Sequence, residues 1–272
     1  MVQLFEVAPI QQQIQRLKQK FTKTWRNPFA NPRKQKLIIH CSHHKAGTVW
    51  FSNVLKEVAN QFGLQFQYCR QEKLYLTTEI FLEDHSCLDF EKLPPHRGSH
   101  IIRDPRDMII SGYFYHLWTH EKWANIPRQK YGDRSYKDYL NSLDLEAGIL
   151  AEIKRAINGG IKEMSIWDYT DPNFINIKYE DLVKNEREIF SSIFRHYGFH
   201  ERAIAQSLEI VDYYSFKNVK KREAKENFKK SHLRSGRSGE WRELFTDAHK
   251  AYFKEHCGDI LLKLGYETNY DW

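Results

Sequence analysis

A short apolar run, Lys36-Leu-Ile-Ile-His-Cys41, is followed at once by a polar turn over 42–47, then by Trp50, Val54, Leu55 and Val58. A run this short and this continuously apolar reads as a buried strand. The spacing of three and four that follows reads as an amphipathic helix. Strand, turn and helix in that order open an α/β unit. The alternation then recurs. Residues 64–69 predict a second strand, 74–82 are ambiguous, and His100-Ile-Ile-Arg103 predicts another strand. Pro105 stands where a helix over 105–118 begins. Residues 119–134, with Pro127 and Gly132, predict a long loop. Residues 135–157 predict a helix ended by Gly159-Gly160, and 174–179 alternate as a strand does. Helices are expected at 185–199, 201–211 and 246–264. The fold class expected is α/β: a single domain with a mostly parallel central sheet flanked by helices.

Charge divides the chain unevenly. Residues 1–36 hold eight basic residues against Glu6, and 217–237 hold nine against Glu223 and Glu226. Each segment is therefore +7, and because the whole chain is +7, everything else sums to −7. A local basic segment asks for a local anion. In the first of them Ile10, Ile14, Leu17, Phe21 and Trp25 space as an amphipathic helix with a basic outer face. Residues 1–36 are thus expected to be a helix and linker packed on a main domain over 37–272. A hydrophobic fraction of 41% can build a core, which excludes wholesale disorder. No apolar run reaches the ~20 residues a membrane span needs. Met1 to Ile10 lacks the pattern of a signal peptide. Cys41, Cys69, Cys87 and Cys257 form no CxxC pair, which argues against a zinc ribbon and fits a reducing cytoplasm.

Three segments have the chemistry to bind anions. In His43-His-Lys-Ala-Gly-Thr-Val-Trp50, a turn between strand and helix aims backbone N–H groups at one spot, at the positive end of a helix dipole. Gly47 allows close approach, Lys45 adds a point charge and Thr48 a hydroxyl. The Walker glycine is missing and Lys precedes Gly, so this is P-loop-like only. In Arg103-Asp-Pro-Arg-Asp-Met-Ile-Ile-Ser111, Arg103 ends a strand and offers a planar fork, while Ser111 lies on the following helix. Arg106 and Asp107 read as surface ion pairs capping that helix. In Arg234-Ser-Gly-Arg-Ser-Gly-Glu-Trp241, two arginines sit on a backbone freed by glycine and serine, anchored by Trp241 and Phe245.

Together and in this order the three segments resemble the soluble, cytosolic-type sulfotransferases, which use 3′-phosphoadenosine 5′-phosphosulfate (PAPS) as sulfuryl donor. A Tyr-Glu-Asp-Leu stretch at 179–182 matches as well, and the resemblance spans roughly 37–266. It implies that Lys45, Ala46, Gly47, Thr48 and Val49 hold the 5′-phosphosulfate. It implies that Trp50 stacks on adenine, with Tyr179 at the base edge. Phe216 is either a second stacking ring or a core residue. Arg103, Ser111, Arg234, Ser235 and Gly236 would grip the 3′-phosphate, selecting PAPS over ATP. The product would be 3′-phosphoadenosine 5′-phosphate (PAP), and no metal is required.

In-line sulfuryl transfer needs alignment and charge stabilisation more than covalent help. Lys45 suits the stabilising role. The family's base is a His in a Lys-Thr-His-Leu-like stretch, whose place is taken here by Glu83-Asp-His-Ser-Cys-Leu88. His85 is the candidate base and Glu83, standing where the family has Lys, the alternative. The expected acceptor is a hydroxyl, or less readily an amine, of a small molecule or glycan. Trp118, Trp123, Tyr131 and Tyr136 make the acceptor region aromatic. Two other readings share parts of this pattern. A P-loop kinase would need a Walker Gly-Lys-Ser/Thr, and a nucleic-acid module would rest on the basic segments alone. Nucleic acid is not the expected partner, and the sequence leaves the oligomeric state open.

Overall fold

The computed structural model describes residues 27–31, 35–215, 217–219 and 237–272. The basic helix expected at 8–25 lies outside the described residues, as do Phe216, Arg234, Ser235 and Gly236.

Five parallel strands form the sheet: β1 (Leu37–Cys41), β2 (Phe66–Tyr68), β3 (Ile80–Glu83), β4 (His96–Ile102) and β5 (Phe174–Lys178), in the order β2-β3-β1-β4-β5. Parallel strands need crossovers, and α-helices supply two of the four. After β1 comes α1 (Thr48–Phe62), and after β4 come α2 (Pro105–His116), α3 (Tyr136–Asn141), α4 (Leu145–Ile157) and α5 (Gly160–Ile166). After β5 follow α6 (Tyr179–Lys184), α7 (Glu186–His196), α8 (Glu201–Tyr214), α9 (Trp241–Leu244), α10 (Asp247–Cys257) and α11 (Asp259–Lys263).

Strand β1 shows why the apolar run was continuous. Ile38 joins a core with Phe51, Val54, Leu55 and Val58 of α1, while Leu37, Ile39 and Cys41 pack on the other face with Phe81, Trp167 and Phe174. Successive side chains of a strand alternate faces, so a strand covered on both must be apolar throughout. Register places Ile38 opposite Ile80 of β3 and Arg97 of β4. Helix α1 ends on Gly63 in the left-handed conformation, with Gly63 N–H donating to the Ala59 carbonyl. Residues 27–31 join the body through paired backbone bonds, Ala30 N–H to Gly198 O and His200 N–H to Pro28 O.

Several boundaries differ from expectation for local reasons. The helix expected over 135–157 is two helices, because Ser135 caps α3 by accepting from Asp138 N–H and Asp144 caps α4 by accepting from Ala147 N–H. Gly160 opens α5 instead of ending a helix. The helix expected over 246–264 divides at Gly258, where a Cβ would lie 2.7 Å from the Lys254 carbonyl oxygen. Of the ambiguous stretch only its end, from Ile80, is strand, in β3. Among the described residues no helix is long and apolar enough to cross a membrane.

Candidate active site

In a parallel sheet the carboxyl ends of the strands share one edge, and ligand crevices of open sheets form there. The turn after β1, Asp84 and His85 after β3, Arg103 after β4 and Tyr179 after β5 all reach this edge. The turn after β1 is tight. Lys45 has φ 68°, Gly47 has φ 98°, and Ala46 N–H donates to the His43 carbonyl. A side chain at Gly47 would combine that backbone strain with contact on the Tyr179 ring at 3.4 Å. Gly47 caps α1, whose first N–H groups have no partner within the helix. Thr48 Oγ1 bonds Ser42 Oγ at 2.8 Å. Arg103, 7% exposed, donates through Nη1 to the Lys45 carbonyl at 3.0 Å, and its guanidinium lies 4.7 Å from the Tyr179 ring centre. The Lys45 ammonium lies 3.9 Å from the Tyr115 ring centre.

These residues line one cleft of about 280 Å³, which Lys45, Gly47, Thr48, Val49, Trp50 and Arg103 share with Ser111 and Tyr179. Tyr214 and Val219 also line it. Trp50 both lines this cleft and rests its ring against Phe190 at 5.8 Å. Ala46 is the exception in its motif, since its side chain is fully buried in the core beside Ile102 and Met108. Arg103 Nε and Trp50 Nε1 are buried with no hydrogen-bond partner among the described residues. Buried donors of this kind ask for a ligand acceptor.

The Sulfotransferase domain family matches residues 99–265, more than half of the chain. The chain belongs to the sulfotransferase domain family. Among solved structures this sulfotransferase is similar to retinol dehydratase in complex with retinol and PAP, at 17% identity over 86% of this chain and 84% of that one, TM-score 0.50. It is also similar to mouse sulfotransferase SULT7A1 complexed with PAP, at 18% identity over 84% of each chain, TM-score 0.49. No curated protein matches the chain. At these identities the likeness concerns the fold.

The sulfotransferase has a second cleft, about 740 Å³, which meets the first at His44, Asp84 and Glu121. His85 lines it. Its Nδ1 lies 2.9 Å from Glu163 Oε1, which leaves Nε2 as the other ring nitrogen, 3.7 Å from Asp84 Oδ1. The Glu163 hydrogen bond raises the His85 pKa against the opposing effect of burial. Burial alone would raise Glu163, but His43 and His85 outweigh it and hold the carboxyl at about 2. Glu83 lines neither cleft. It is the last residue of β3, and its carboxylate accepts from His85 N–H, Cys87 N–H and Arg70. A buried carboxylate so occupied shapes the loop that carries His85.

Arg106 and Asp107 are not surface ion pairs. Arg106 is 1% exposed, bonded to Asp104 and Glu267, with its guanidinium 3.7 Å from the Trp241 ring centre and 4.5 Å from that of Trp272. Asp107 accepts from the N–H groups of Gly239 and Trp241. Both therefore fasten the end of the third motif to α2. The sequence motifs passed over Asp84, Tyr115 and Glu121. Tyr115 was within reach, because it lies four residues after Ser111 on the same helix face. Glu121 is held by Tyr115 Oη and Trp123 Nε1, and Asp84 accepts from Tyr68 Oη. Among the described residues no group of three His, Cys, Asp or Glu could hold a metal ion.

Proposed function

We propose that the protein transfers a sulfuryl group from PAPS to an acceptor hydroxyl by in-line displacement. The observation that carries this reading is the first cleft: a left-handed turn at a helix N-terminus, clamped by Arg103 to the Lys45 carbonyl, with Ser111, Trp50 and Tyr179 in the same cavity. The helix N-terminus and Lys45 would take the 5′-phosphosulfate. Arg103 and Ser111 would take the 3′-phosphate, and the unpartnered Arg103 Nε fits that demand. Trp50 and Tyr179 supply aromatic faces for the base. The relatives' bound PAP supports the same donor.

The acceptor enters by the second cleft. His85 Nε2 takes the hydroxyl proton while Glu163 holds Nδ1, so the ring is presented in the tautomer a base needs. The acceptor oxygen forms its bond to sulfur as the sulfur–oxygen bond to the 5′-phosphate breaks. Lys45 and the N–H groups of α1 stabilise the charge gathering on that phosphate. The acceptor is a small molecule or a glycan.

Titration calorimetry with PAP tests the site. Arg103→Ala and Ser111→Ala should each weaken binding, Arg103→Ala by tenfold or more, as loss of a charged hydrogen bond worth about 1.5–3 kcal/mol requires. His85→Ala should keep PAP affinity and lose transfer from labelled PAPS. Unchanged PAP affinity in both donor-site variants would overturn the assignment.

A further inference from the structure

The second cleft has an uneven charge. Its two lining carboxylates, Asp84 and Glu121, are the two it shares with the donor cleft. Away from that junction its charged lining consists of cations alone: Arg70, Arg128, Lys130, Lys154 and Arg155. Two of them are already balanced, Arg70 by Glu83 at 3.2 Å and Arg155 by Glu152 at 2.6 Å. Arg128, Lys130 and Lys154 have no carboxylate partner among the described residues. The chain outside its two basic segments carries −7, so a cationic cavity there runs against the charge of the surrounding body. A concave cationic wall focuses potential and gathers anions.

The cations also stand apart. Arg70 follows β2, Arg128 and Lys130 lie in the loop after α2, and Lys154 lies on α4. Between them Tyr131 and Tyr139 stack at 5.1 Å, with Trp123 and Tyr136 alongside at 5.7 Å. Aromatic faces suit the apolar face of a ring, and spaced cations suit several separated anionic groups. A cavity of about 740 Å³ exceeds the needs of one small aromatic acid.

We infer that the acceptor is an acidic saccharide, a hydroxyl-bearing sugar with carboxylate or sulfate groups that Arg128, Lys130 and Lys154 hold while its ring lies on the tyrosine wall. This rests on the sulfotransferase reading and narrows its acceptor. The uncompensated cations offset the negative charge of an acceptor that must approach an anionic donor.

Matched probes test it by calorimetry on the PAP-loaded protein. p-Nitrophenyl β-D-glucuronide and p-nitrophenyl β-D-glucoside share the aryl group and ring and differ at the carboxylate. The glucuronide should bind about tenfold tighter, and the difference should shrink between about 0.05 M and about 0.5 M salt. In an R128Q/K130Q/K154Q variant the difference should vanish while PAP affinity stays at the parent value. Equal affinity for the two probes, or binding of neither, overturns the acidic acceptor and leaves the donor site standing. Tighter binding of p-hydroxybenzoate than of the glucuronide overturns the saccharide in favour of a small aromatic acid. Failure of PAP to bind removes the sulfotransferase reading itself, and this inference with it.

Discussion

A histidine acts as a base only while neutral, so the partner that orients it also sets the pH at which it works. His85 has Glu163 on Nδ1, and that bond raises its pKa above the ordinary 6.5. The acid limb of kcat/KM is therefore expected above that value. Glu163→Gln keeps a hydrogen-bonding group but removes the charge, so the limb should move to lower pH. A pH–rate profile of the two proteins checks this, and a limb that does not move would show that His85 is not the group titrating. Behind Glu163 the chain of groups continues inward. His43 Nδ1 lies 3.5 Å from the carboxylate, His43 and His100 meet at 2.8 Å, and His100 reaches Asn176. A second chain holds the histidine of the junction: His44 meets His116 at 3.1 Å, and His116 meets Glu152 at 3.0 Å. Both chains fix ring orientation by burial and by a terminal polar partner.

At the scale of elements, the site depends on how closely β5 lies against β4. Gly98 of β4 faces Phe174 of β5, and a Cβ there would lie 2.1 Å from the Phe174 ring. No rotamer adjustment of alanine relieves such a contact; the Phe174 ring or the strand must move. Gly98→Ala should cost about 1–3 kcal/mol, the usual price of overpacking, read as a lower urea midpoint. If the midpoint is unchanged, the ring has room that the structure denies it. Because Arg103 and Tyr179 stand at the ends of these two strands, PAP affinity should fall in the same variant. Helix α2 is fixed from its other side by Arg106 between two tryptophan rings. That contact explains why a segment which reads as polar and external is internal: the partners, Trp241 and Trp272, lie more than a hundred residues away in sequence.

Over the whole molecule, buried neutral histidines make stability depend on pH. Burial lowers His40 to about 3, with its Nδ1 2.7 Å from Ser99 Oγ. It lowers His43, His100 and His116 as well. A group whose folded pKa is depressed adds stability that is complete above the unfolded value, 6.5, and is lost as pH falls toward the folded one. His40 alone should cost about 2 kcal/mol between pH 6.5 and pH 5, at about 1.4 kcal/mol per unit. His85, with its raised pKa, works in the opposite direction. Urea unfolding should be nearly level from pH 7.5 to pH 6.5 and show a loss from there to pH 5; a flat profile throughout would mean that burial does not depress these rings within the fold.

The two strand–turn motifs were legible because their chemistry is local. A left-handed glycine, a lysine in the turn, a proline at the first helical position and a serine two turns on are spacings along one segment. Seven of the residues they named, Lys45, Gly47, Thr48, Val49, Trp50, Arg103 and Ser111, meet in one cleft, together with Tyr179. The surroundings of Glu83 and His85 were not local. Arg70 and two backbone N–H groups occupy the glutamate, and Glu163 reaches the histidine from α5, which is why His85 is the base we propose. Ala46 likewise belongs to the motif by position and to the core by packing. The cationic cleft has no signature in sequence, since its members are scattered over 70–155 among many solvated lysines and arginines. By itself the sequence determined most of the strands and helices, the α/β class and the two turns with the chemistry to bind anions, because hydrophobic period and turn chemistry act over a few residues. Only the tertiary structure decided which charges share a cavity, because parallel strand order gathers the ends of β1, β3, β4 and β5 at one edge, and that gathering is a long-range property.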